Sequence, residues 1–503
     1  MIALADAGGA EAAHAIPSAF WMWPFVAILL SIAILPLMRR THHWWEQNRN
    51  KLLVSAVLAL ITLFYYGLRG DGIPIHHAAP PQHVEQVDAH APEPTAPQIH
   101  AAPDEPADEA AHVETHYSEP GLSTVFAVLD HAVLKEYVPF LTLLFALYVI
   151  AGGIVVRGDI RATPTANTTI LGIGAVLASL IGTTGASMVL IRLLLKTNSE
   201  RKHVVHTVVF FIFLVSNIGG SLLPIGDPPL FLGYLRGVHF FWTLGLWQEW
   251  MLMVLLLLGV YWVWDLWAYR HEAVADLSAD VAHVEPVHLA GTINFLWIGG
   301  VVFAVATLDS SKEFLGSGWT PFPYLREIVQ LAFVGLSLAT TSNVLRQENK
   351  FNYVAIGEVA CVFIGIFITM QIPLEILNAR GAELGLSQPW HFFWVTGMLS
   401  SFLDNAPTYV VFFETARTLP HTGAGMLMLN DGSEIREPLL VAISCGAVFM
   451  GANSYIGNGP NFMVRTIAEQ SGVKMPSFFG YMLYAGAVLI PLFVIITFVF
   501  FRP

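Results

Sequence analysis

Two clusters rich in Gly, Pro, Asn, Ser and Asp interrupt otherwise apolar runs of this 503-residue chain. One covers residues 216–229 and contains Asp227, and the other covers residues 451–461. Gly and Pro break the helical hydrogen-bond ladder, and backbone groups freed at membrane depth persist only where they line a wet cavity or meet other protein groups. The clusters therefore predict interrupted helices whose carbonyl, amide and carboxylate oxygens can bind an ion.

Each cluster follows a second interruption at a comparable distance along the chain. In the first half, Thr183 to Ser187 lie inside the apolar run 166–197, and in the second half, Asp404 to Thr408 lie inside the run 390–416. Because the parts occur twice in the same order, the sequence predicts an internal repeat. Transporters of this design place their substrate near the midplane, between the discontinuous helices of two repeats.

Asp227 and Asp404 supply the negative charge of the predicted site. A carboxylate at the centre of a membrane costs roughly 2.5–3.5 kcal/mol, so each needs a bound ion, a proton or hydrogen-bond donors. We expect Asp404 to bind ion and proton alternately, with Asp404, Asn217 and Asn453 contacting a transient Na⁺. The full set of candidate residues is Thr183, Thr184, Ser187, Asn217, Ser221 and Asp227 from the first half, with Asp404, Asn405, Thr408, Asn453 and Ser454 from the second.

Simpler roles compete with these assignments. Helix kinks would explain either cluster alone. Asp227 ends its apolar run, so an interfacial helix cap is its alternative role, and structural hydrogen bonding is the alternative for Asp404. Arg192 and Glu414 are interpreted as interfacial residues whose aliphatic stems lie along apolar surface.

The composition places these elements in a membrane. Hydrophobic residues make up 55% of the chain and charged residues 12%, a balance that a water-facing surface would not tolerate. Apolar runs of about 20 residues, the length that crosses the hydrocarbon core, predict spans at 19–38, 52–68, 137–156, 203–225, 247–268, 290–308, 325–345, 351–372, 437–458 and 478–500. The short segment 121–135 ends in charged residues and is instead a candidate for a helix along the interface.

Basic residues set the predicted orientation. Arg40 and Lys51 lie between the first two spans, Arg157 follows the third, and Lys196 ends the run 166–197. The positive-inside rule makes these loops cytoplasmic, and the rule is obeyed throughout only if 166–197 enters and leaves from the cytoplasm. The two repeats then have opposite orientations. The predicted fold is an all-α integral membrane protein with two inverted-topology repeats, re-entrant hairpins and discontinuous helices.

The predicted organisation has six parts. They are an N-terminal two-helix membrane segment (1–69), an exterior acidic loop rich in His and Pro (70–120), a first transporter repeat (121–268), a connector (269–289), two spanning helices between the repeats (290–350) and a second, inverted repeat (351–503). Ten Asp and Glu residues lie between Asp71 and Glu119 with no Lys or Arg, so much of the net charge of −13 is local to this loop and no nucleic-acid partner is expected. The loop has too little apolar area to offset its chain entropy and is predicted to be disordered. A metal-capturing or pH-sensing role for its histidines is the alternative.

The motifs themselves resemble a known superfamily. Ser216-Asn217-Ile218-Gly219-Gly220 with Gly226-Asp227-Pro228-Pro229, and Leu403-Asp404-Asn405-Ala406-Pro407 with Gly451-Ala452-Asn453, are similar to motifs of the ion-transporter superfamily. Over about residues 137–500 the chain is most similar to the NhaD-type sodium/proton antiporters and to their arsenite-permease and citrate-carrier relatives. The resemblance implies a homodimer with a scaffold part and a transport part in each subunit, working by an elevator-like movement.

Two positions depart from the patterns of these relatives. Thr183-Thr184-Gly185-Ala186 stands where NhaD-type carriers usually have an acid–amide pair. Ile218 follows Ser216-Asn217, whereas the signature of the dicarboxylate carriers is Ser-Asn-Thr. The first departure counts against cation exchange and the second against anion transport, so both functions stay open.

The function predicted from the sequence is exchange of Na⁺ for H⁺ by a multi-pass protein of the inner (plasma) membrane. The alternative is a Na⁺-coupled carrier of citrate, dicarboxylate or arsenite, in which hairpin helix ends bind the anion and Asp404 holds a coupling Na⁺. No nucleophile motif or metal-ligand spacing favours an enzyme, and no cofactor is expected beyond the transported ions. The expected partners are the lipid bilayer, an inorganic cation or small anion as substrate, and a second copy of the chain.

Overall fold

A computed structural model of the chain describes residues 16–38, 40–75, 116–282, 284–310, 312–420 and 425–502. Residues 76–115, the greater part of the loop predicted to be disordered, lie outside these ranges, so that prediction is not tested.

Helices dominate the described residues. The α-helices are α1 (Trp23–Ile34), α2 (His42–Trp45), α3 (Asn48–Leu68), α4 (Leu122–Leu129), α5 (Val138–Ala151), α6 (Pro164–Ile181), α7 (Thr183–Thr197), α8 (Val205–Leu214), α9 (Pro228–Leu235), α10 (Trp247–Arg270), α11 (Val274–Ala282), α12 (Ile293–Thr307), α13 (Leu325–Thr340), α14 (Asn343–Glu348), α15 (Val354–Thr369), α16 (Gln371–Arg380), α17 (Pro389–Ser400), α18 (Asn405–Arg417), α19 (Glu437–Met450), α20 (Gly459–Gln470) and α21 (Phe478–Phe500). Short 3-10 helices lie at Ala19–Met22, Ile218–Ser221, Trp242–Leu246, Phe314–Gly316, Gly381–Leu384 and Gly451–Asn453, and a π-helical segment at Asp130–Tyr137.

Strands in the described residues form three two-stranded antiparallel ribbons. They are β1 (Pro74–Ile75) with β2 (His116–Tyr117), β3 (Val155–Asp159) with β4 (Glu285–Ala290), and β5 (Met426–Met428) with β6 (Glu434–Arg436). The stretch 269–289, predicted as a connector, thus contains α11 and most of β4.

The prediction of an all-α membrane protein is confirmed. Among the described residues, five helices are long and apolar enough to cross a membrane, namely Asn48–Leu68, Leu122–Ala151, Pro164–Ile181, Trp242–Arg270 and Phe478–Phe500. The pair Val354–Thr369 and Gln371–Leu384, bent by 40°, is a possible sixth span. Each of the ten predicted spans coincides with helical residues, and those at 203–225 and 437–458 are broken before their ends.

The helix that begins at Leu122 corrects one prediction. α4, the π-helical segment and α5 form one continuous helix (Leu122–Ala151), not a surface helix followed by a span. Lys135 Nζ lies 3.1 Å from a carboxylate oxygen of Asp130, five residues earlier, and Glu136 pairs with Arg236. A π-helical turn brings residues five apart together. Asp130 and Lys135, two of the charged residues that suggested a surface helix, are therefore paired with each other along the helix.

Two hairpins stand out among the helices. α6 and α7 meet at Gly182, whose φ of 79° reverses the chain, and Asn167 at the start of α6 exchanges hydrogen bonds of 2.9 and 2.8 Å with Asn198 after α7. α17 and α18 form the second hairpin, since the ring of Phe392 near its beginning contacts that of Phe412 near its end. Both interrupted runs predicted from the sequence thus fold back on themselves. That the hairpins are re-entrant in the membrane stays a prediction.

The broken spans also occur in matching form. α8 and α9 are separated by residues 215–227, and α19 and α20 by residues 451–458. In the first gap the backbone of Gly226 packs directly on Gly220, and in the second Gly457 packs on Gly451, so neither Gly226 nor Gly457 has room for a Cβ. The order of hairpin, broken helix and long helix therefore occurs twice. The inverted orientation of the two copies stays a prediction.

The helices form two groups. α1, α3, α5, α12, α13 and α15 contact one another and are here called the outer group. The hairpins and broken helices pack together with α10 and α21, and are here called the site group. Contacts of α5 with α7 and α9 connect the two groups, as does α16, which contacts both α15 and α18. The outer group is the candidate for the fixed scaffold part that the resemblance implies. The site group is the candidate for the moving transport part.

Candidate ion-binding site

Asp227 lies at the centre of a buried hydrogen-bond cluster drawn from both halves of the chain. Asp227 as a whole residue is only 2% exposed to solvent. Its Oδ1 accepts hydrogen bonds from Thr183 Oγ1 and Asn458 Nδ2, both at 2.9 Å, and its Oδ2 accepts one from Asn405 Nδ2 at 2.6 Å. These contacts place Asp227 inside the protein, so the alternative of an interfacial cap does not describe it.

The same contacts bring the starts of four helices together. α7 begins at Thr183 and α18 begins at Asn405, while α9 follows Asp227 and α20 follows Asn458. A helix N-terminus carries a partial positive charge. Four such ends and three hydrogen-bond donors therefore compensate part of the cost of burying the carboxylate.

Asn217 and Asn461 join the two broken helices directly. Asn217 Nδ2 donates to Asn461 Oδ1 at 2.7 Å and to the carbonyl oxygen of Ile212 at 2.8 Å. Asn461 Nδ2 in turn donates to the carbonyl oxygens of Gly451 and Ser454, both at 2.9 Å. This chain of amides fixes the side chain of Asn217 against the second repeat.

Among the predicted site residues, three buried amide oxygens accept no hydrogen bond from the described part of the chain: Oδ1 of Asn217, of Asn405 and of Asn453. Two of these side chains lie beside Gly451, where a Cβ would be 3.1 Å from Asn217 Oδ1, 3.3 Å from the carbonyl oxygen of Gly457 and 3.5 Å from Asn405 Nδ2. An unpaired buried oxygen costs about 1–3 kcal/mol, and neutral carbonyl oxygens are ligands that Na⁺ accepts in transporters. Asn217 Oδ1 and the carbonyl oxygen of Gly457 therefore lie near one point beside Gly451, and the Asn405 atom nearest to that point is the amide nitrogen.

Asp404 occupies a different position from Asp227. It is half-buried and caps the start of α18, because its Oδ1 accepts a hydrogen bond from the backbone N–H of Ala406 at 3.0 Å. Thr408 Oγ1 donates to the backbone carbonyl of Asp404, also at 3.0 Å. The second carboxylate oxygen of Asp404 accepts no hydrogen bond within the described part of the chain. Asn405 therefore follows the capping residue Asp404 in sequence and donates a hydrogen bond to the buried carboxylate of Asp227.

Asn453 and Ser454 tie the second broken helix to the turn of the second hairpin. Asn453 Nδ2 donates to Ser401 Oγ at 2.9 Å, and Ser454 Oγ donates to the carbonyl oxygen of Ser401 at 2.5 Å. The hydroxyl of Ser454 is therefore used within the protein, and Asn453 offers an ion only its Oδ1.

The remaining predicted residues lie around the cluster and do not contact Asp227. Ser187 and Ser216 share a hydrogen bond of 2.8 Å between their hydroxyls, and Ser221 Oγ donates to the carbonyl oxygen of Ile218 at 2.8 Å. Thr184 is half-buried next to the start of α7. The hydrogen bond between Ser187 and Ser216 joins the first hairpin to the segment that follows α8.

Sequence reasoning missed Asn458 and Asn461 as site residues. A signal for Asn458 was present, because Gly226-Asp227 and Gly457-Asn458 each end a pair of glycines six residues apart. Aligning the repeats on these glycines places Asn458 opposite Asp227, and the structure joins the two side chains. Asn461 has no such signal, since its role depends on Asn217 in the other half.

Paired hairpins and broken helices that meet at a buried, oxygen-rich site define the class, a multi-pass membrane transporter. The chain belongs to the family described as "putative citrate transport", which matches residues 14–85 and 110–501. No curated protein is significantly similar to the chain. The family confirms the prediction of a membrane transporter, but its description does not decide between Na⁺ and citrate as the substrate.

Proposed function

We propose that this transporter exchanges Na⁺ for H⁺ and that Asp227 is the group for which the two ions compete. The observation that supports the proposal is a buried carboxylate held by donors from both halves, with unpaired amide oxygens on neighbouring side chains. A Na⁺ bound by the oxygens of Asn217 and Asn405 would lie near the charge of Asp227. A proton on Asp227 removes that charge, so the two ions exclude each other, as exchange requires.

Ion binding at Asp227 also changes contacts between the repeats. Its donors come from the first hairpin (Thr183), the second hairpin (Asn405) and the second broken helix (Asn458). A protonated carboxyl carries an O–H donor and loses acceptor capacity, so one of these contacts must adjust. We propose that the site group moves past the outer group with its ion or proton, in the elevator-like manner that the resemblance implies. The homodimer and the plasma-membrane location stay predictions.

A second candidate function is Na⁺-coupled carboxylate transport, and the family description favours it. In that case the site at Asp227 and Asn405 would hold the coupling cation, and the carboxylate would bind elsewhere in the site group. No Arg or Lys lies at the tip of either hairpin, Thr183–Ser187 or Asp404–Thr408, so the tips offer an anion only backbone and neutral side-chain donors.

Proteoliposomes with an internal pH dye distinguish the two functions. For Na⁺/H⁺ exchange we expect external Na⁺ alone to raise the internal pH, because Na⁺ enters as H⁺ leaves. K⁺, citrate and arsenite without Na⁺ should give no response, and Li⁺ is tested beside them. A response that requires citrate together with Na⁺ would establish the second candidate instead. Vesicles that respond to none of these solutes, with correctly folded protein present, would reject both.

A further inference from the structure

A cavity of about 370 Å³ lies between α7, β3 and the end of α14, on the side of the protein predicted to be cytoplasmic. The charged side chains among its lining residues are those of Arg157, Arg192, Lys196, Glu285 and Glu348. The cavity therefore has three cationic groups for two carboxylates, and it is outside the cluster around Asp227.

Both carboxylates of the cavity are already paired. Arg157 donates to Glu348 through Nε at 2.9 Å and through Nη2 at 2.7 Å, and Lys196 Nζ donates to Glu285 at 2.5 Å. The hydrogen bond from Arg157 lowers the pKa of Glu348 below its ordinary value, and that from Lys196 does the same for Glu285. Both acids are thus ionised near neutral pH and neutralise those two cations.

Arg192 is the third cation, and it has no carboxylate partner among the described residues. Its Nη1 donates to Asn349 Oδ1 at 3.0 Å and to the carbonyl oxygen of Met188 at 3.3 Å, both neutral acceptors. Its Nε and Nη2 donate to none of the described residues. Asn349 thus holds one end of the guanidinium, while the Nε–Nη2 edge stays available. That planar edge matches a carboxylate through two parallel hydrogen bonds.

The position of Arg192 connects the cavity to the hairpin. It lies on α7, nine residues after Thr183, which is roughly 13 Å along the helix axis. We propose that Arg192 binds one carboxylate group of a small di- or tricarboxylate in this cavity through its Nε–Nη2 edge. This inference names a site that Na⁺/H⁺ exchange does not need, and it does not rest on the proposed exchange.

Calorimetric titration with citrate tests the site, using the full chain in nanodiscs of zwitterionic lipid without Na⁺. We expect saturable binding to the wild type. Arg192→Gln should weaken binding at least about tenfold, because it removes charge-assisted hydrogen bonds. Arg192→Lys keeps the charge but lacks the guanidinium fork. Its affinity for citrate should lie between that of the wild type and that of Arg192→Gln. Arg161→Gln is the matched control, since it removes an exposed cation on the same side that does not line the cavity.

Three results would overturn the proposal: a folded wild type that binds no citrate, Arg192→Gln with wild-type affinity, or inorganic phosphate bound as tightly as citrate. The last result would show an anion site that does not select carboxylates, because the guanidinium fork also matches phosphate. Because Na⁺ is left out, the titration measures citrate binding alone. A lack of citrate binding can therefore be distinguished from a lack of Na⁺/H⁺ exchange in the pH-dye assay.

Discussion

Asp227→Asn is expected to reduce Na⁺-driven proton movement to the level of vesicles without protein. The substitution keeps the size of the side chain but removes its charge and its ability to release a proton. It also replaces one acceptor oxygen by an NH₂ group, which faces either Asn405 or the two donors Thr183 and Asn458. At least one donor then loses its acceptor, at a cost of about 1–3 kcal/mol. The measurement is the pH-dye response of proteoliposomes containing equal amounts of protein.

Two variants control for misfolding of Asp227→Asn. Asp404→Asn removes a carboxylate next to the site but keeps the helix cap, since Asn caps helices as well as Asp; we expect weaker Na⁺ affinity with exchange retained. The double variant Asp227→Asn with Asn458→Asp moves the carboxylate to its partner position, and we expect part of the exchange to return. Wild-type exchange by Asp227→Asn, or exchange lost only in Asp404→Asn, would assign the coupling role to Asp404, as first predicted from the sequence.

Gly451→Ala is expected to weaken the apparent affinity for Na⁺ at least tenfold, which corresponds to about 1.4 kcal/mol. The new methyl group would lie 3.1 Å from Asn217 Oδ1 and 3.3 Å from the carbonyl oxygen of Gly457. It fills the space in which these oxygens are free to meet a cation, and it offers no ligand of its own. The φ of Gly451 is −56°, which alanine adopts without backbone strain.

Gly486→Ala is the matched control for Gly451→Ala. Gly486 lies in α21, and a Cβ there would have no atom within 4 Å. We expect Na⁺ concentrations for half-maximal response to be unchanged in this variant. If Gly451→Ala has unaltered Na⁺ affinity and a thermal unfolding midpoint close to that of the wild type, the cation does not bind beside Gly451.

Much of the architecture could be predicted because lipid imposes a strong pattern. Long apolar runs identified the long helices, and the breaks at Gly182 and in the clusters 216–229 and 451–461 identified the first hairpin and the broken helices. The continuous helix Leu122–Ala151 could not be predicted, since its charged residues are compensated by a π-helical turn and by Arg236, 100 residues away from Glu136. A partner as distant in sequence as Arg236 cannot be recognised from the residues around Glu136.

The roles of the two carboxylates depend on contacts that local sequence does not record. Asp227 ends its apolar run and Asp404 lies inside one, which suggested that Asp404 was the more buried. The donors to Asp227 include Asn405 and Asn458, 178 and 231 residues away, and only the fold brings them together. Arg192 is a similar case, because its free edge depends on Asn349, 157 residues further along the chain.

The most direct test of competition at Asp227 is the pH dependence of the apparent Na⁺ affinity of the wild type. The Na⁺ concentration for half-maximal dye response would be measured in proteoliposomes at a series of pH values. If one proton and one Na⁺ compete at one carboxylate, this concentration rises about tenfold for each unit of pH decrease once the carboxylate is mostly protonated, since each unit is worth about 1.36 kcal/mol. An apparent Na⁺ affinity that does not change with pH would contradict the account.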